Sequence, residues 1–339
     1  MFENKVVLVT GGTGSIGSEI VRNVLSYHPK AVRIYSRDES KQFALQQEFK
    51  EYTNIRYLIG DVRDKQRLSY AMEGVDYIFH AAALKHVPAC EYNPMEAVKT
   101  NVIGVQNIIE TAIDHNVEKV VSISTDKVVN PTNTMGATKL LSERLISSAS
   151  LYKGAKRTVF SCVRFGNVMG SRGSVIPLFK EQIARGMPVT VTHNEMTRFM
   201  MSIPQAAQLV IDAAKYAQGG EVFVLKMPIL KIRDLAVALI DSYEKNLHKT
   251  YKNEIIETGI RPGEKMYEEL MTLDESERAL ENDKMYIIPS FFQSQNEASY
   301  PGFVKAPYQE YSSHTAPRLY LEDVKLLLEK NRLGFECDV

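Results

Sequence analysis

The segment Lys5-Val6-Val7-Leu8-Val9-Thr10-Gly11-Gly12-Thr13-Gly14-Ser15-Ile16-Gly17 decides the fold. Its apolar first half predicts a buried central strand. Apolar residues then recur over 16–25 at the spacing of one helix face, so the glycines lie in a strand-turn-helix. Glycine allows a tight turn and close approach of the backbone to a pyrophosphate, and the helix N-terminus supplies N–H donors. The segment predicts dinucleotide binding; the alternative is a glycine-rich turn without a ligand.

The predicted cofactor contacts begin in this turn and continue at the ends of the following strands. They are Gly11, Thr13, Gly14, Ser15, Ile16, Gly17, Ser36, Arg37, Asp61, Val62, Ala81, Ala82 and Ala83. The small residues at 81–83 let the backbone lie flat beneath a cofactor. Asp61 either accepts a hydrogen bond from an adenine amino group or caps the helix that starts near Lys65.

The order Ser36-Arg37-Asp38-Glu39 at the end of the second strand distinguishes the two nicotinamide cofactors. An acidic residue there accepts from the ribose 2′-hydroxyl of NAD, whereas an arginine accommodates the 2′-phosphate of NADP. Because Ser36 and Arg37 come first, we expect NADP. The alternative is that Arg37 is a solvated side chain and that Asp38 binds the ribose of NAD.

A second segment, Ser124-Thr125-Asp126-Lys127, follows the apolar run 120–123. In an open parallel sheet, ligands bind beyond the carboxyl ends of the strands. An acid and an amine at such an end, with Lys139 on the next helix, are candidates for proton transfer. The predicted catalytic residues are therefore Thr125, Asp126, Lys127 and Lys139. The alternative is a surface loop with ordinary charges.

The regular alternation of strands and helices predicts an α/β fold with a Rossmann-type, doubly wound parallel sheet over residues 1–165. The alternation stops near residue 166, which predicts a smaller C-terminal substrate-binding domain over 166–339. Residues 204–225 look like one more helix and strand that return to the sheet. Residues 291–311 form either an ordered extension or a flexible tail.

Three arginines beyond residue 166 lie in loop contexts: Arg172, Arg198 and Arg261. The planar guanidinium donates two parallel hydrogen bonds, which suits a diphosphate. Lys85 lies over the same edge of the sheet as the proposed cofactor and is a candidate for substrate contact. The alternative for each of these cations is ordinary surface solubility.

Composition excludes several classes of partner. The 41 Lys and Arg balance the 41 Asp and Glu, so no general field favours nucleic acid or an anionic membrane. Cys90, Cys162 and Cys337 are too few and too scattered for a disulfide framework or a zinc site, which indicates a reducing compartment and no bound metal. There is no room for a signal peptide and no apolar run that spans a bilayer, so we expect a cytoplasmic protein.

Taken with longer motifs, these residues resemble the extended short-chain dehydrogenase/reductase superfamily. More narrowly, they resemble the nucleotide-sugar 4,6-dehydratases that act on UDP-N-acetylglucosamine in bacterial surface-glycan pathways. Besides the glycine turn, the motifs are Ser36-Arg37-Asp38-Glu39, Gly60-Asp61-Val62-Arg63-Asp64, Ala81-Ala82-Ala83-Leu84-Lys85-His86-Val87-Pro88, Lys99-Thr100-Asn101, Ser124-Thr125-Asp126-Lys127, Phe165-Gly166-Asn167-Val168-Met169-Gly170-Ser171-Arg172-Gly173-Ser174-Val175-Ile176-Pro177 and Arg261-Pro262-Gly263-Glu264. The resemblance covers nearly the whole chain.

The resemblance implies an NADP cofactor, a UDP-sugar substrate and a homo-oligomer. It implies that Lys127, as a neutral amine, is the base at carbon 5 and that Asp126 is the acid at the 6-hydroxyl. Asp126 or Thr125 relays the proton of the 4-hydroxyl, and Lys139 holds the nicotinamide ribose. The implied substrate contacts are Lys85, Asn167, Arg172, Val175, Arg198, Arg261 and Glu264.

One position departs from the superfamily. Its Tyr-x-x-x-Lys motif supplies a tyrosine that takes the proton of the 4-hydroxyl, but the matching segment here is Met135-Gly136-Ala137-Thr138-Lys139. A thioether cannot take or donate a proton. Some dehydratases of this family also carry methionine there, so catalysis is not excluded, but the first proton acceptor is left unassigned.

The product and the reaction class have alternatives. The run Glu310-Tyr311-Ser312-Ser313-His314 resembles enzymes that invert carbon 5, whereas Asn130-Pro131-Thr132-Asn133 and Met135 also occur in retaining relatives. We expect inversion. The other functions considered are a nucleotide-sugar 4-epimerase or reductase, and a non-catalytic NADP-binding protein.

Overall fold

The computed structural model describes residues 1–248, 250–261, 263–291 and 300–335, so Pro262 and Cys337 lie outside the described residues. The strands are β1 (Val6–Thr10), β2 (Ala31–Ser36), β3 (Ile55–Ile59), β4 (Tyr77–His80), β5 (Lys119–Ile123), β6 (Val159–Arg164), β7 (Asn167–Met169), β8 (Val189–Val191), β9 (Thr197–Ser202), β10 (Val222–Leu225), β11 (Ile229–Lys231), β12 (Ile255–Glu257), β13 (Glu269–Met271), β14 (Leu280–Glu281), β15 (Met285–Ile288), β16 (Val304–Lys305) and β17 (Tyr311–Ser312).

Helices alternate with these strands and cover the main sheet. They are α1 (Ser15–Leu25), α2 (Glu39–Glu48), α3 (Lys65–Met72), α4 (Val87–Tyr92), α5 (Pro94–Ala97), α6 (Gly104–Asp114), α7 (Thr134–Tyr152), α8 (Val175–Ala184), α9 (Ile203–Tyr216), α10 (Ile232–Leu247), α11 (Leu273–Ser276) and α12 (Leu321–Lys330). A π-helical segment, Val98–Ile103, joins α5 to α6, and a 3₁₀ turn, Asp126–Val128, follows β5.

The main sheet confirms the predicted α/β fold class. Its parallel part has the order β3-β2-β1-β4-β5-β6-β10, and β15, β14 and β16 extend it with antiparallel pairing. The first six strands of this order are those of a doubly wound dinucleotide-binding sheet, in which the order reverses between β1 and β4. The carboxyl ends of β1, β2, β4 and β5 therefore meet at one edge.

The chain after residue 166 contributes to two hydrophobic cores. Strand β10 pairs in parallel with β6, so the strand within 204–225 joins the main sheet, and α9 packs against that sheet. A second cluster, centred on Phe179, Ile183, Leu235 and Leu239, lies beneath α8, α10 and α12. The boundary between a cofactor domain and a substrate domain stays a prediction.

The described part of 291–311 includes β16 and the start of β17, which pair with β14 and β13. Residues 292–299 lie outside the described residues. No helix within the described ranges is both long and apolar enough to cross a membrane.

Candidate active site

The turn between β1 and α1 fits a dinucleotide phosphate. A Cβ on Gly11 would lie 2.7 Å from the backbone nitrogen of Ala82, and a Cβ on Gly17 would lie 2.3 Å from the carbonyl oxygen of Gly11. Backbone therefore packs on backbone here, as close approach to a ligand requires. Helix α1 begins at Ser15 without an acidic residue in its first turn or a side-chain cap. Its N-terminal N–H groups suit an anion.

The end of β2 leaves Arg37 and Asp38 in different situations. Asp38 caps α2: its carboxylate accepts from the backbone N–H of Lys41 at 2.9 Å and pairs with the Lys41 ammonium. The side chain of Arg37 is 56% exposed, with one nitrogen 3.5 Å from Asp61. Ser36 Oγ lies 2.8 Å from Thr13 Oγ1, which joins this strand end to the glycine turn. The carboxylate of Asp38 is thus engaged, whereas the guanidinium of Arg37 faces solvent.

Asp64, in the loop after β3, is the N-cap of helix α3. Its carboxylate accepts from the backbone N–H of Arg67 at 2.9 Å, so the alternative that Asp61 caps this helix is wrong. Asp61 instead accepts from the backbone and guanidinium of Arg63, at 3.0 and 2.7 Å. Burial favours a higher pKa for Asp61, but the hydrogen bonds from Arg63 outweigh it and hold the pKa below its ordinary value. Val62 is buried beside it, and its cofactor contact stays a prediction.

Asn101 fixes the backbone beside Ala81, Ala82 and Ala83. It lies in the π-helical segment and is 1% exposed. Its amide accepts from the N–H of Leu84 at 2.8 Å and donates to the Leu84 carbonyl at 3.1 Å. Asn101 therefore positions a backbone segment at the sheet edge and does not face solvent. Single π-turns within helices are frequent at functional sites.

The 3₁₀ turn after β5 brings an acid and an amine into contact. Lys127 Nζ lies 2.9 Å from Oδ2 and 3.1 Å from Oδ1 of Asp126. Thr125 Oγ1 donates to Asp126 Oδ1 at 2.6 Å. The side chain of Asp126 is 1% exposed, whereas that of Lys127 is 31% exposed. The carboxylate of Asp126 is thus enclosed, whereas the side chain of Lys127 is partly exposed.

Glu268, which sequence reasoning missed, is the third member of this cluster. Its Oε1 lies 3.2 Å from Lys127 Nζ and 3.2 Å from Arg198 Nε. Its side chain is 5% exposed, and Oε2 has no hydrogen-bond donor among the described residues. Glu268 precedes β13, 141 residues from Lys127 in the chain. No local motif marks it, because the contact depends on tertiary structure.

The charges of this cluster shift one another's protonation. Burial alone would lower the pKa of Lys127, but the carboxylates of Asp126 and Glu268 raise it above its ordinary value. Burial alone would raise the pKa of Asp126, but Lys127 holds it below the ordinary value. Burial and the charge of Asp126 raise the pKa of Glu268 to about 7. Resting Lys127 is therefore a cation, and Glu268 is the carboxyl that titrates near neutral pH.

Lys139 and Met135 lie on the first turns of α7. Lys139 is 7% exposed and donates to the carbonyl of Ile123, the last residue of β5. Burial lowers the pKa of Lys139. Met135 is 3% exposed and packs with Cys90 and Ala97 in a small apolar cluster. The methionine therefore has the surroundings of a packing residue.

The predicted substrate residues divide into two groups. Lys85 Nζ donates to the carbonyl of Arg172 at 2.9 Å, and the Arg172 guanidinium donates to the carbonyl of Thr13. These two cations thus lie over the glycine turn. Arg198 is enclosed: its side chain is 8% exposed and donates to the carbonyls of Thr197 and Lys265, both at 2.8 Å.

The remaining predicted substrate residues lie around this cluster. Glu264 approaches Arg198 at 3.5 Å. Asn167 begins β7, Val175 begins α8, and Arg261 is exposed in a loop. No described hydrogen bond or ion pair joins these last three residues to Asp126 or Lys127.

Comparison with known proteins gives relatives along most of the chain. It is 56% identical over 290 residues to the uncharacterized membrane protein MJ1061 of Methanocaldococcus jannaschii, covering 85% of this chain and 86% of that protein. It is 46% identical over 290 residues to a UDP-N-acetylglucosamine 4,6-dehydratase (inverting) of Campylobacter jejuni, covering 85% and 84%. It is 43% identical over 337 residues to a UDP-glucose 4-epimerase of Rickettsia massiliae, covering 97% and 96%.

Solved structures share the fold. The structure of Pen from Bacillus thuringiensis has a TM-score of 0.93 at 49% identity, covering 99% of this chain and 100% of that one. DesIV, a dTDP-glucose 4,6-dehydratase from Streptomyces venezuelae solved with NAD and TYD bound, has a TM-score of 0.67 at 23% identity, covering 77% and 86%. At that identity the second likeness shows the fold alone.

The strand order and the glycine turn define a Rossmann-type fold of the short-chain dehydrogenase/reductase class. The relatives identify the chain as an enzyme of the nucleotide-sugar dehydratase/epimerase type. A family model described as polysaccharide biosynthesis protein matches residues 7–290. The chain belongs to this family, which confirms the resemblance that the sequence motifs indicate.

Proposed function

We propose that this enzyme catalyses the NADP-dependent 4,6-dehydration of UDP-N-acetylglucosamine. The product would be a UDP-2-acetamido-2,6-dideoxy-4-hexulose for surface glycan biosynthesis. The observation that carries the proposal is the contact between Lys127 and Asp126 at the carboxyl end of β5, because elimination of water needs a base beside an acid. The relative named as an inverting dehydratase, 46% identical, supports it.

A nicotinamide held by the glycine turn and Lys139 would supply the acceptor for the hydride of carbon 4 and the donor of that hydride to carbon 6. Lys127 removes the proton of carbon 5, and Asp126 protonates the departing 6-hydroxyl. Thr125, which hydrogen-bonds Asp126, relays the proton of the 4-hydroxyl, and Lys139 binds the nicotinamide ribose. Resting Lys127 is protonated, so it must first lose a proton. Transfer to Asp126 across 2.9 Å creates the neutral amine and the carboxylic acid together.

The proposed diphosphate contacts are the cations Lys85, Arg172, Arg198 and Arg261. The full set of proposed substrate residues is Lys85, Asn167, Arg172, Val175, Arg198, Arg261 and Glu264. Arg198 has carbonyl and carboxylate partners for its guanidinium, so it binds a phosphate only by exchanging them. Arg172 and Arg261 are therefore the stronger candidates for contact with the diphosphate.

NADP is the proposed cofactor, in preference to NAD. Asp38 caps α2 and pairs with the Lys41 ammonium, which makes its carboxylate less available to a ribose 2′-hydroxyl. Arg37 is exposed beside Ser36 and Thr13, where it can bind a 2′-phosphate. The glycine turn, with its uncapped helix N-terminus, fits the pyrophosphate of either cofactor.

Incubation with UDP-N-acetylglucosamine and mass spectrometry of the nucleotide sugar test the reaction. Loss of one water is the expected result. An isobaric product, with the galacto isomer in its NMR spectrum, would identify a 4-epimerase instead, and the 43% identical relative named as an epimerase motivates this second candidate. Cofactor binding without turnover would indicate a non-catalytic protein. Proton coupling constants of the product ring test the proposed inversion at carbon 5.

The proposal also includes a cytoplasmic homo-oligomer. Cys90 and Cys162 are buried free thiols, which suits a reducing compartment. Light scattering of the purified protein tests the oligomeric state, and a mass equal to one chain would contradict this part of the proposal.

A further inference from the structure

We propose that Glu268 stores the proton that the sugar 4-hydroxyl releases and thereby replaces the proton acceptor that Met135 cannot provide. This inference rests on the dehydration proposed above. Its basis is the geometry of the cluster: Lys127 Nζ lies 3.2 Å from Glu268 Oε1 and 2.9 Å from Asp126 Oδ2, so one ammonium bridges the two carboxyls. Glu268 Oε2 is buried without a hydrogen-bond partner among the described residues, which disfavours the ionised carboxyl and favours uptake of a proton.

The carboxyl of Glu268 is more basic than that of Asp126, so a proton that enters the cluster moves to Glu268. Lys127 holds the pKa of Asp126 below its ordinary value, whereas burial and the charge of Asp126 raise the pKa of Glu268 to about 7. When like-charged carboxyls share a site, one of them takes the proton first. A proton passed from Thr125 Oγ1 to Asp126 Oδ1, across 2.6 Å, therefore comes to rest on Glu268: Lys127 gives a proton to Glu268 Oε1 and takes one from Asp126.

The protons balance over one turnover. At rest Lys127 is an ammonium and both carboxyls are ionised; the 4-hydroxyl proton then passes through Thr125 and Asp126 to Glu268. With Glu268 neutral, Lys127 loses one of the two anions that stabilise its charge and gives a proton to Asp126. The amine takes the carbon 5 proton while Asp126 protonates oxygen 6, which leaves as water. The hydride that left carbon 4 is delivered to carbon 6.

The ammonium then returns a proton to carbon 5, and the proton on Glu268 returns to Lys127. Two protons enter the cluster, from oxygen 4 and carbon 5, and two leave it, to oxygen 6 and carbon 5. The resting state is restored without an external acid or base. The hydrogen bonds that join Thr125, Asp126, Lys127 and Glu268 provide a path for each transfer.

Protonation of Glu268 depends on every charge packed against it. Asp126 and Lys127 face Glu268 from the turn after β5, and Arg198 faces it from β9. Glu264, which like Glu268 precedes β13, approaches Arg198. The backbone N–H of Glu268 donates to Ser313 Oγ at 2.9 Å, and Ser313 carries no charge. Because Glu268 must be ionised to accept a proton, kcat/KM should rise as pH increases through about 7.

Infrared titration of the purified enzyme without sugar tests directly whether Glu268 takes up a proton near neutral pH. A carboxylic C=O band should disappear as pH rises through neutrality, should be absent in Glu268→Gln, and should remain in Glu269→Gln. Glu269 is a matched control, because it is adjacent but contacts Asn130 and Lys265. Absence of the band in the wild type, or its survival in Glu268→Gln, would overturn the inference.

Kinetics supply the second readout. Glu268→Gln should lower kcat by about 10²-fold and remove the rise of kcat/KM near pH 7; an unchanged pH profile in the folded variant would overturn the inference. If that variant does not fold, Asp126→Asn should move the infrared midpoint to lower pH, and an unmoved midpoint contradicts the coupling. Failure of the wild type to release water would instead refute the dehydration, which the infrared result does not depend on.

Discussion

The ammonium of Lys127 spans both carboxylate oxygens of the residue that precedes it, at 2.9 and 3.1 Å from Asp126. Successive side chains of a strand point to opposite faces, so these two residues could not meet if β5 continued. The 3₁₀ turn Asp126–Val128 removes that alternation at the carboxyl end of the strand. The local conformation, more than the residue types alone, makes an acid–base pair.

The hydroxyl of Thr125 is expected to carry a proton. Replacement with valine keeps the shape but removes the donor to Asp126 at 2.6 Å, so kcat should fall by about 10²-fold. Thr125→Ser keeps the hydroxyl and is the matched control, with activity expected within a few-fold of wild type. Steady-state product formation measures both variants. Equal activity of the valine and serine variants would exclude the relay.

Met135 is expected to contribute packing and no proton transfer. It lies in an apolar cluster with Cys90 and Ala97, and leucine fills nearly the same volume at a cost under about 1.5 kcal/mol. Met135→Leu should therefore keep kcat within a few-fold. The same product assay measures it, with circular dichroism as the control for folding. A large loss of kcat in a well-folded variant would show that the thioether has a chemical role.

Arg37 is expected to select NADP. Its guanidinium is exposed at the end of β2, and loss of a charge-assisted hydrogen bond to phosphate costs about 1.5–3 kcal/mol. Arg37→Ala should weaken NADP binding by roughly 10- to 100-fold and leave NAD binding nearly unchanged, as measured by cofactor fluorescence. Arg56→Ala, on neighbouring β3, is the control. Equal weakening of both cofactors would argue against a 2′-phosphate contact.

The buried Arg164 is expected to dominate local stability. It pairs with Glu143 and, at 2.9 Å, with Glu275, and its side chain is 1% exposed. Arg164→Met leaves two enclosed carboxylates without a cation and should lower the free energy of unfolding by about 3–5 kcal/mol. Arg185→Met, which breaks an exposed pair with Glu181, should cost less than about 1 kcal/mol. Urea denaturation compares them, and similar losses would contradict this account.

Sequence patterns located most of the sheet edge that forms the site. The glycine turn and the Ser-Thr-Asp-Lys segment each follow an apolar strand, and both β1 and β5 end where the patterns predict. The periodicity works here because these strands are buried on both faces and their helices pack on one face. The strand pairing of β10 with β6 also agrees with the pattern after residue 204.

Contacts between distant segments were beyond sequence reasoning. Glu268 belongs to the segment after Arg261, and nothing in its neighbourhood indicates that it reaches Lys127. The same holds for Arg198: the predicted loop context is wrong, because Arg198 lies within β9 and its guanidinium is enclosed by backbone carbonyls. The possible cap of α3 was assigned to Asp61, whereas Asp64 lies directly before the helix and accepts from the backbone N–H of Arg67.

Exchange at carbon 5 tests the central claim most directly. In deuterated water, wild-type enzyme with UDP-N-acetylglucosamine should release a product that carries deuterium at carbon 5, as read by proton NMR. The Lys127→Gln enzyme should show no exchange at carbon 5 and should form no dehydrated product, because the amine that removes the proton is gone. Deuterium incorporation that persists in a folded Lys127→Gln enzyme would contradict the assignment of Lys127 as the base.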